Sequence, residues 1–593
     1  MIVAIPAVPW QVTGNHWVSL PCIHPADASI HAFGTVHAGL RGAVEFAGDS
    51  KFVEGNGKPL IRITIEINGD RVALGAQGIA WERDSGWIPS FSARAGDVTV
   101  RGTICAPHGK EADVCGVVIA IAVENRGDSE VDIRVGLEGS LGHRQLRVRS
   151  PRDFSDDHVV SAGLGGSVIL DGRSAESPMA IAIAGEGEFD ATVKEPDASW
   201  SISRRETVGS RATYESWFHA AAAADRDGAV GMLRAMLRRG GSALVESTRT
   251  ALREMSPATG NPAADRLIAR HVFFCYFGSV VRAIDQSHWY VVRSRLPWSE
   301  SGMTIRDWHA LMWVLPAVQL VDQPLAREIL LRVCELHGQA PGSGVSYLDG
   351  GMFEPGFSLE GASAFAIAVD SYIVQSSDDK IVEEPVLSDS LYGSHEDIEQ
   401  RRHSQYPLYS TEVNPDGSVP EFRFTAHGNA VAALALDILA HTLDEKTAEK
   451  VQDPAAVRAS LLRQLGESAG GKSTLASSSD LAGKSSAADN PSASVYWLPY
   501  FDLMSRDDST YRRTVKPLEA APVDRLEVRC ARLLGPSGND ALDWLRRAPL
   551  DGGLAAEFVD AEGRATANGG DAALSGAIAH TVWYAVHALG VRA

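Results

Sequence analysis

Two hydrophobic periods divide the chain. Over the first ~230 residues apolar and polar positions alternate with the period of two expected of half-buried strands. In PLIRITIEINGDRVAL, Ile61, Ile63, Ile65 and Ile67 fall on one face and Arg62, Thr64, Glu66 and Asn68 on the other, and NGD supplies a turn. In VVIAIAVENRGDSEVDIRVGLEG an apolar run from Val117 to Val123 reaches turn residues at Asn125–Asp128. Val131, Ile133, Val135 and Leu137 then alternate with Asp132, Arg134, Gly136 and Glu138. Turn signals every eight to twelve positions or so predict an antiparallel β-sandwich.

Beyond that point the period becomes helical. GAVGMLRAMLRR, SALVESTRTALREM, AADRLIARHVFFCYFGSVVRAI, RDWHALMWVLPAVQLV, PLAREILLRVCELH, GASAFAIAVDSYIV, GNAVAALALDILAHTL, DPAAVRASLLRQL, VDRLEVRCARLL and AALSGAIAHTVWYAVHAL all read as helices. Several are apolar on more than one face, as expected of two concentric helical layers. The expected architecture is multidomain β plus α. An N-terminal antiparallel β-sandwich (1–235) and linker helices (236–260) lead into an α-toroid (261–593) interrupted by a Gly/Ser-rich insert at 466–494. That insert, poor in apolar residues, predicts an exposed, mobile loop.

Within the insert, GESAGGKST matches both the phosphate-loop pattern G-x-x-x-x-G-K-[ST] and the nucleophile-elbow pattern G-x-S-x-G. Either chemistry needs a strand before the motif and a helix after it. RASLLRQL before it reads as a helix and TLASSSDLAGKSSAAD after it as neither, so both matches are set aside.

Composition narrows the partners. A net charge of −20 over 593 residues argues against nucleic acid and anionic membrane. The start MIVAIPAVPWQVTG is a poor signal peptide, and no run is as apolar and as long as a membrane span, so a cytoplasmic location is expected. The six cysteines show no metal or disulfide spacing, and no metal or other cofactor is expected.

Candidate chemistry lies in three loops. SHWYVVRSRLPWSESGMTIRDWHALMW carries Trp289, Tyr290, Trp298, Glu300, Arg306, Asp307 and Trp308, aromatic faces for sugar rings and charged groups for hydroxyls. Asp307 has a second reading, as a helix cap paired with Arg306. In YLDGGMFEPGFSLEGASAFAIAVDSYI, Glu360 precedes an apolar helix, where partial desolvation would keep a carboxyl protonated; Asp349 and Glu354 compete with it. In APLDGGLAAEFVDAEGRATANGGDAALSGA, Glu557 and Asp560 stand before a Gly-rich turn, where a carboxylate could activate water. His309 and His580, each on an apolar helix face, read as satisfied core residues.

The layout resembles the clan of inverting glycoside hydrolases that includes the amylo-1,6-glucosidase part of glycogen-debranching enzymes and the processing α-glucosidases. IRDWHAL resembles their G-R-D-[ST] loop, SLEGASAFAIAVDSYI their acid-bearing segment, and AAEFVDAEGRATANGGDAALSGAIA their base-bearing turn. The resemblance implies an (α/α)6 barrel and cleavage of an α-glucoside or related oligosaccharide with inversion. It further implies Glu360 as general acid, Glu557 as general base, and Arg306 and Asp307 on the sugar. Here the acid is Glu with an added Gly, Ile305 replaces the Gly before Arg-Asp, and LSG replaces a Trp-Ser signature. Two other readings stay open: a polysaccharide lyase using Tyr and His from His288, Tyr290, His403, Tyr406 and His427, and a non-catalytic carbohydrate-binding protein.

Overall fold

The computed structural model describes residues 3–110, 112–172, 178–194, 197–299, 301–469, 472–519 and 523–592. The alternating half forms three antiparallel sheets of six, eight and five strands, ending with Thr213–Ala223. Strand Arg62–Ile67 pairs with Val131–Ser140, and Ile63 and Ile65 are buried while Arg62, Thr64 and Glu66 are half-buried. The turn at Asn125–Asp128 does not close a hairpin. Gly116–Asn125 belongs to the eight-stranded sheet and Val131–Ser140 to the five-stranded one, so the chain crosses between layers there. Ile119, Ile121, Val123, Ile133, Val135 and Leu137 meet in the core between them.

Helices Arg226–Arg239 and Gly241–Glu254 follow, the first capped by Asp225. The chain then alternates outer and inner helical segments around a closed (α/α)6 ring. The outer ones are Pro262–Gly278, Gln323–His337, Pro385–Glu399, Pro454–Gln464, Ser509–Glu519 and Gly538–Arg547. The inner positions hold His309–Gln319, Leu359–Ser376, Ala426–Thr442, short turns at Pro491–Ala493 and Val495–Trp497, Leu526–Leu534 and Ala572–His587. Every residue from Leu359 to Val369 and from Ala572 to Val582 is buried, which explains the lack of a polar face in those sequences. The first inner segment opens with a π-helical stretch, His309–Val314. Gly576 lets the last inner helix pass against the first: a Cβ there would sit 2.5 Å from the Trp313 carbonyl oxygen and 2.7 Å from Cys275 Sγ.

Sandwich and ring are joined by buried charge. Arg147 pairs with Glu45 at 2.9 Å and donates to the Arg295 carbonyl at 2.8 Å. Arg295 in turn donates to the carbonyls of Asn15, His16 and Phe277.

Two expectations change. Helix Pro262–Gly278 stops before VVR, which pairs as a strand, Val280–Arg282, with Trp289–Val291. The 466–494 insert is folded rather than loose: Gly466–Ala469 pairs with Lys472–Leu475, Ser478–Ser479 pairs with Phe424–Thr425, and Leu475, Ala476, Ser478 and Ser479 are buried. The double motif thus belongs to a two-stranded ribbon whose Gly470 and Gly471 lie outside the described residues. Among the described residues no helix is long and apolar enough to cross a membrane. All six cysteines are free and buried.

Replacing Gly576 with Ala should cost about 1–3 kcal/mol by overpacking the seam between first and last inner helices. Urea unfolding of the two proteins measures it, and equal midpoints would show that the seam yields.

Candidate active site

Because inner and outer segments alternate in direction, the inner N-termini gather at one rim. Their caps are side chains that the local sequence supplies. Ser358 Oγ accepts from Gly361 N, Thr425 from Gly428 N, Ser494 from Tyr496 N, and Asp571 from Leu574 N. The loops before them carry the polar groups.

Two adjoining hollows open at this rim. The polar one, about 200 Å³, is lined by Arg149, Arg293, Arg306, His309, Glu354 and Asp416 among others. Arg293 pairs with Asp571 at 2.8 Å. Arg149, from the sandwich, pairs with Glu354 at 3.2 Å. Arg306 has no hydrogen bond or ion pair among the described residues, and burial lowers its pKa against the pull of Asp416. Gly417 packs so closely on the Arg306 guanidinium that a Cβ would lie 2.1 Å from it. Asp416 uses one oxygen, Oδ1, to accept from Ser418 N at 2.9 Å and Ser418 Oγ at 2.6 Å. Its Oδ2 meets no donor among the described residues. His309 stacks on Trp313 at 4.1 Å, its Nε2 is buried without a partner, and burial beside Arg293 and Arg306 holds it neutral.

The second hollow is narrow and aromatic, walled by Trp308, Trp313, Trp497, Tyr500, Phe501 and His580, with Glu527 at its edge. Glu527 is 8% exposed and has no hydrogen-bond partner among the described residues. Burial, and then the nearby Asp416, push its carboxyl up to about 7, against the opposing pull of Arg293 and Arg525. Trp308 Nε1 is also buried without a partner.

The sequence candidates fall into two groups. Arg306 and Trp308 line the hollows. Asp307 faces away: its Oδ2 accepts from Gly342 N at 2.7 Å and its Oδ1 lies 3.1 Å from His337. It fastens the loop before Glu360, and neither caps a helix with its side chain nor pairs with Arg306. Trp298 donates to Asp551 at 2.8 Å inside the core. Trp289 and Tyr290 lie on the hairpin under the sandwich, against His16 and the Arg332 guanidinium. Glu300 lies outside the described residues. Glu360 is 0% exposed and bonded to His427 Nδ1 at 3.2 Å and Ser358 Oγ at 3.3 Å, behind the ring of Trp308, which packs on His427. Glu557 is 16% exposed on its side chain, with Oε1 bound by Arg525 and Oε2 by Asn568 at 2.7 Å. His309 is not the satisfied core residue its helix face suggests. His580 reaches Tyr500 at 3.2 Å through Nε2, while its Nδ1 has no partner.

Sequence reasoning missed Glu527, Asp416 and Arg293. Glu527, like Glu360, stands in the first turn of a helix, though a short one that carries Arg529. Asp416 sits in NPDG, which reads only as a turn. Among the described residues no group of three or more His, Cys, Asp or Glu could hold a metal ion.

No family model matches the chain, and no curated protein matches it. Among solved structures, a bacterial glucoamylase complexed with acarbose superposes with a TM-score of 0.60 at 11% identity, covering 100% of this chain and 98% of the other. A putative kojibiose phosphorylase from human microbiome gives a TM-score of 0.48 at 12% identity over 75% of this chain and 66% of its own.

A Glu527 carboxyl raised from 4.5 to about 7 favours the folded state most fully below pH ~4.5, and that contribution is lost as pH rises through 7. The gap corresponds to about 3 kcal/mol. Glu527→Gln should therefore flatten the decline of unfolding free energy between pH 4.5 and 7.5 and gain on wild type at the upper end. Parallel curves for the two proteins would mean that Glu527 titrates normally. The chain thus shares the (α/α)6 fold of the bacterial glucoamylase.

Proposed function

We propose that the protein cleaves a glycosidic bond in an oligosaccharide, with Glu527 as general acid and Asp416 as general base. The observation that carries this is the Glu527 carboxyl, partnerless and protonated near neutrality, set between aromatic walls and a pocket holding an unpaired guanidinium. Aromatic faces suit the apolar faces of sugar rings, and Arg306 suits their hydroxyls. The neighbour's glucoamylase activity points to an α-glucoside as the sugar.

In the reaction Glu527 gives its proton to the leaving oxygen as the bond to the anomeric carbon lengthens. Asp416 Oδ2 takes a proton from a water attacking the opposite face, so the configuration inverts. Each carboxyl then exchanges its proton with solvent and the cycle restarts. Glu557 is less suited to the base role because Arg525 and Asn568 occupy both its oxygens. It holds Arg525, and with it the strand beside Glu527. Glu360 is sealed from substrate; it stiffens His427 and, through it, the Trp308 wall. A cytoplasmic location, consistent with six free thiols, belongs to the same proposal.

Arg306 favours one further reading, phosphorolysis, in which phosphate replaces the attacking water.

Wild type should release reducing sugar from α-linked oligosaccharides, with proton NMR showing inverted product. Glu527→Gln and Asp416→Asn should each lower kcat about 10²–10⁴-fold without unfolding. Glu360→Gln and Glu557→Gln should act mainly through stability. Activity that survives Glu527→Gln but vanishes in Glu360→Gln would return the acid role to Glu360. A requirement for inorganic phosphate would convert the reading to phosphorolysis.

On this assignment Glu527→Gln should also spare substrates with good leaving groups, such as glycosyl fluorides, far more than oligosaccharides. Equal losses on both would remove Glu527 as proton donor.

A further inference from the structure

A large hollow lies away from the rim, in the groove between the sandwich and the outer helices Pro262–Gly278 and Gly538–Arg547. It measures about 830 Å³ and is bounded by Arg83, Arg266, Arg270, Arg546 and Arg547, with Asp265 and Asp543 the acidic residues of its lining. That concentration of cations is unusual in a chain of net charge −20.

Its acids are already engaged. Asp265 accepts from Thr259 N at 2.7 Å and Thr259 Oγ1 at 2.6 Å, and Asp543 pairs with Arg546 at 3.2 Å and Arg547 at 4.0 Å. Arg83 is fixed by neutral acceptors, donating to the carbonyls of Val12 and Trp87 and to Gln11 Oε1. Among the described residues no carboxylate pairs with it. The side chains of Arg266 and Arg270 have no hydrogen bond or ion pair among the described residues. Burial lowers the pKa of both Arg83 and Arg270, and the nearby charge of Arg270 lowers that of Arg83 further. Guanidiniums without a carboxylate partner in one groove, here Arg83, Arg266 and Arg270, are stabilised by an anion with several acceptor oxygens. Pro257, Ala263, Leu267 and Ala269 add an apolar floor, and the volume suits a small organic molecule better than a lone ion.

We propose that this groove binds a phosphate ester of a small metabolite, its phosphate held by Arg266 and Arg270 in the field of Arg83. The site is separate from the rim and stands whether or not the rim performs glycoside cleavage.

Calorimetry on the full chain tests it with three probes: inorganic phosphate, inorganic pyrophosphate and a hexose bisphosphate. The bisphosphate should bind at least tenfold tighter than inorganic phosphate. Arg266→Glu, an exposed change that leaves the fold intact, and Arg266→Ala/Arg270→Ala should each weaken it at least tenfold, while Arg306→Ala at the rim should not. Thermal unfolding without ligand checks that the variants remain folded. Binding lost in Arg306→Ala but kept in the groove variants would overturn the proposal by moving the anion to the rim. No binding of any probe would also overturn it, and pyrophosphate binding tighter than the ester would reassign the groove to a free anion.

Discussion

The arrangement depends on a guanidinium that has no carboxylate. Arg295 is buried, and burial lowers its pKa to about 9. Its two terminal nitrogens donate to the carbonyls of Asn15 and His16 in the sandwich and Phe277 at the end of the first outer helix, while Nε is buried without a partner. Its own carbonyl is held by Arg147, itself locked to Glu45. A charge taken from water must find such partners or destabilise the fold, so the two domains are fixed in one relative position. Two residues earlier the same strand-like segment carries Arg293, which reaches Asp571 at the cap of the last inner helix. The rim's charge layout is therefore set by a junction that lies outside it.

The ring imposes the second constraint. Inner segments pack closely where side chains are small, and Ala and Gly recur in the buried stretches of Leu359–Ser376 and Ala572–His587. With little polar side-chain surface inside, chemistry is pushed to the helix ends and the loops preceding them. There the caps Ser358, Thr425, Ser494 and Asp571 order the backbone, and the groups between them are free to face a ligand.

The division between period two and period 3.6, and hence the sandwich and the toroid, was legible because each element buries a definite face. The inner helices were visible as long apolar runs, since they are buried on every side. Outer helices such as Pro385–Glu399, Ser509–Glu519 and Gly538–Arg547 were not, because they hold few apolar residues, although in the last two those few keep to one face. At the rim, Arg306 and Trp308 could be read from an aromatic, charged loop. Asp307 and Trp298 looked the same in sequence, yet each is spent on a contact with a distant residue, Gly342 or Asp551. Glu360 and Glu527 each follow a leucine in the first turn of a helix. What separates them is a histidine 67 positions away for the one and no partner for the other. Long-range pairing of that kind leaves no local trace. The Gly/Ser insert misled in the opposite direction, since serine-rich strands bury through backbone pairing rather than through apolar side chains.

Arg149 reaches from the sandwich to Glu354 at the edge of the polar hollow. A module that merely tethers an enzyme to its polymer can be exchanged or deleted between lineages. This sandwich supplies part of the wall around the rim and is hydrogen-bonded to the ring through the buried guanidiniums of Arg147 and Arg295. The two halves are therefore constrained to be inherited together, and recombination at the boundary near residue 225 would break a pocket as well as a linker.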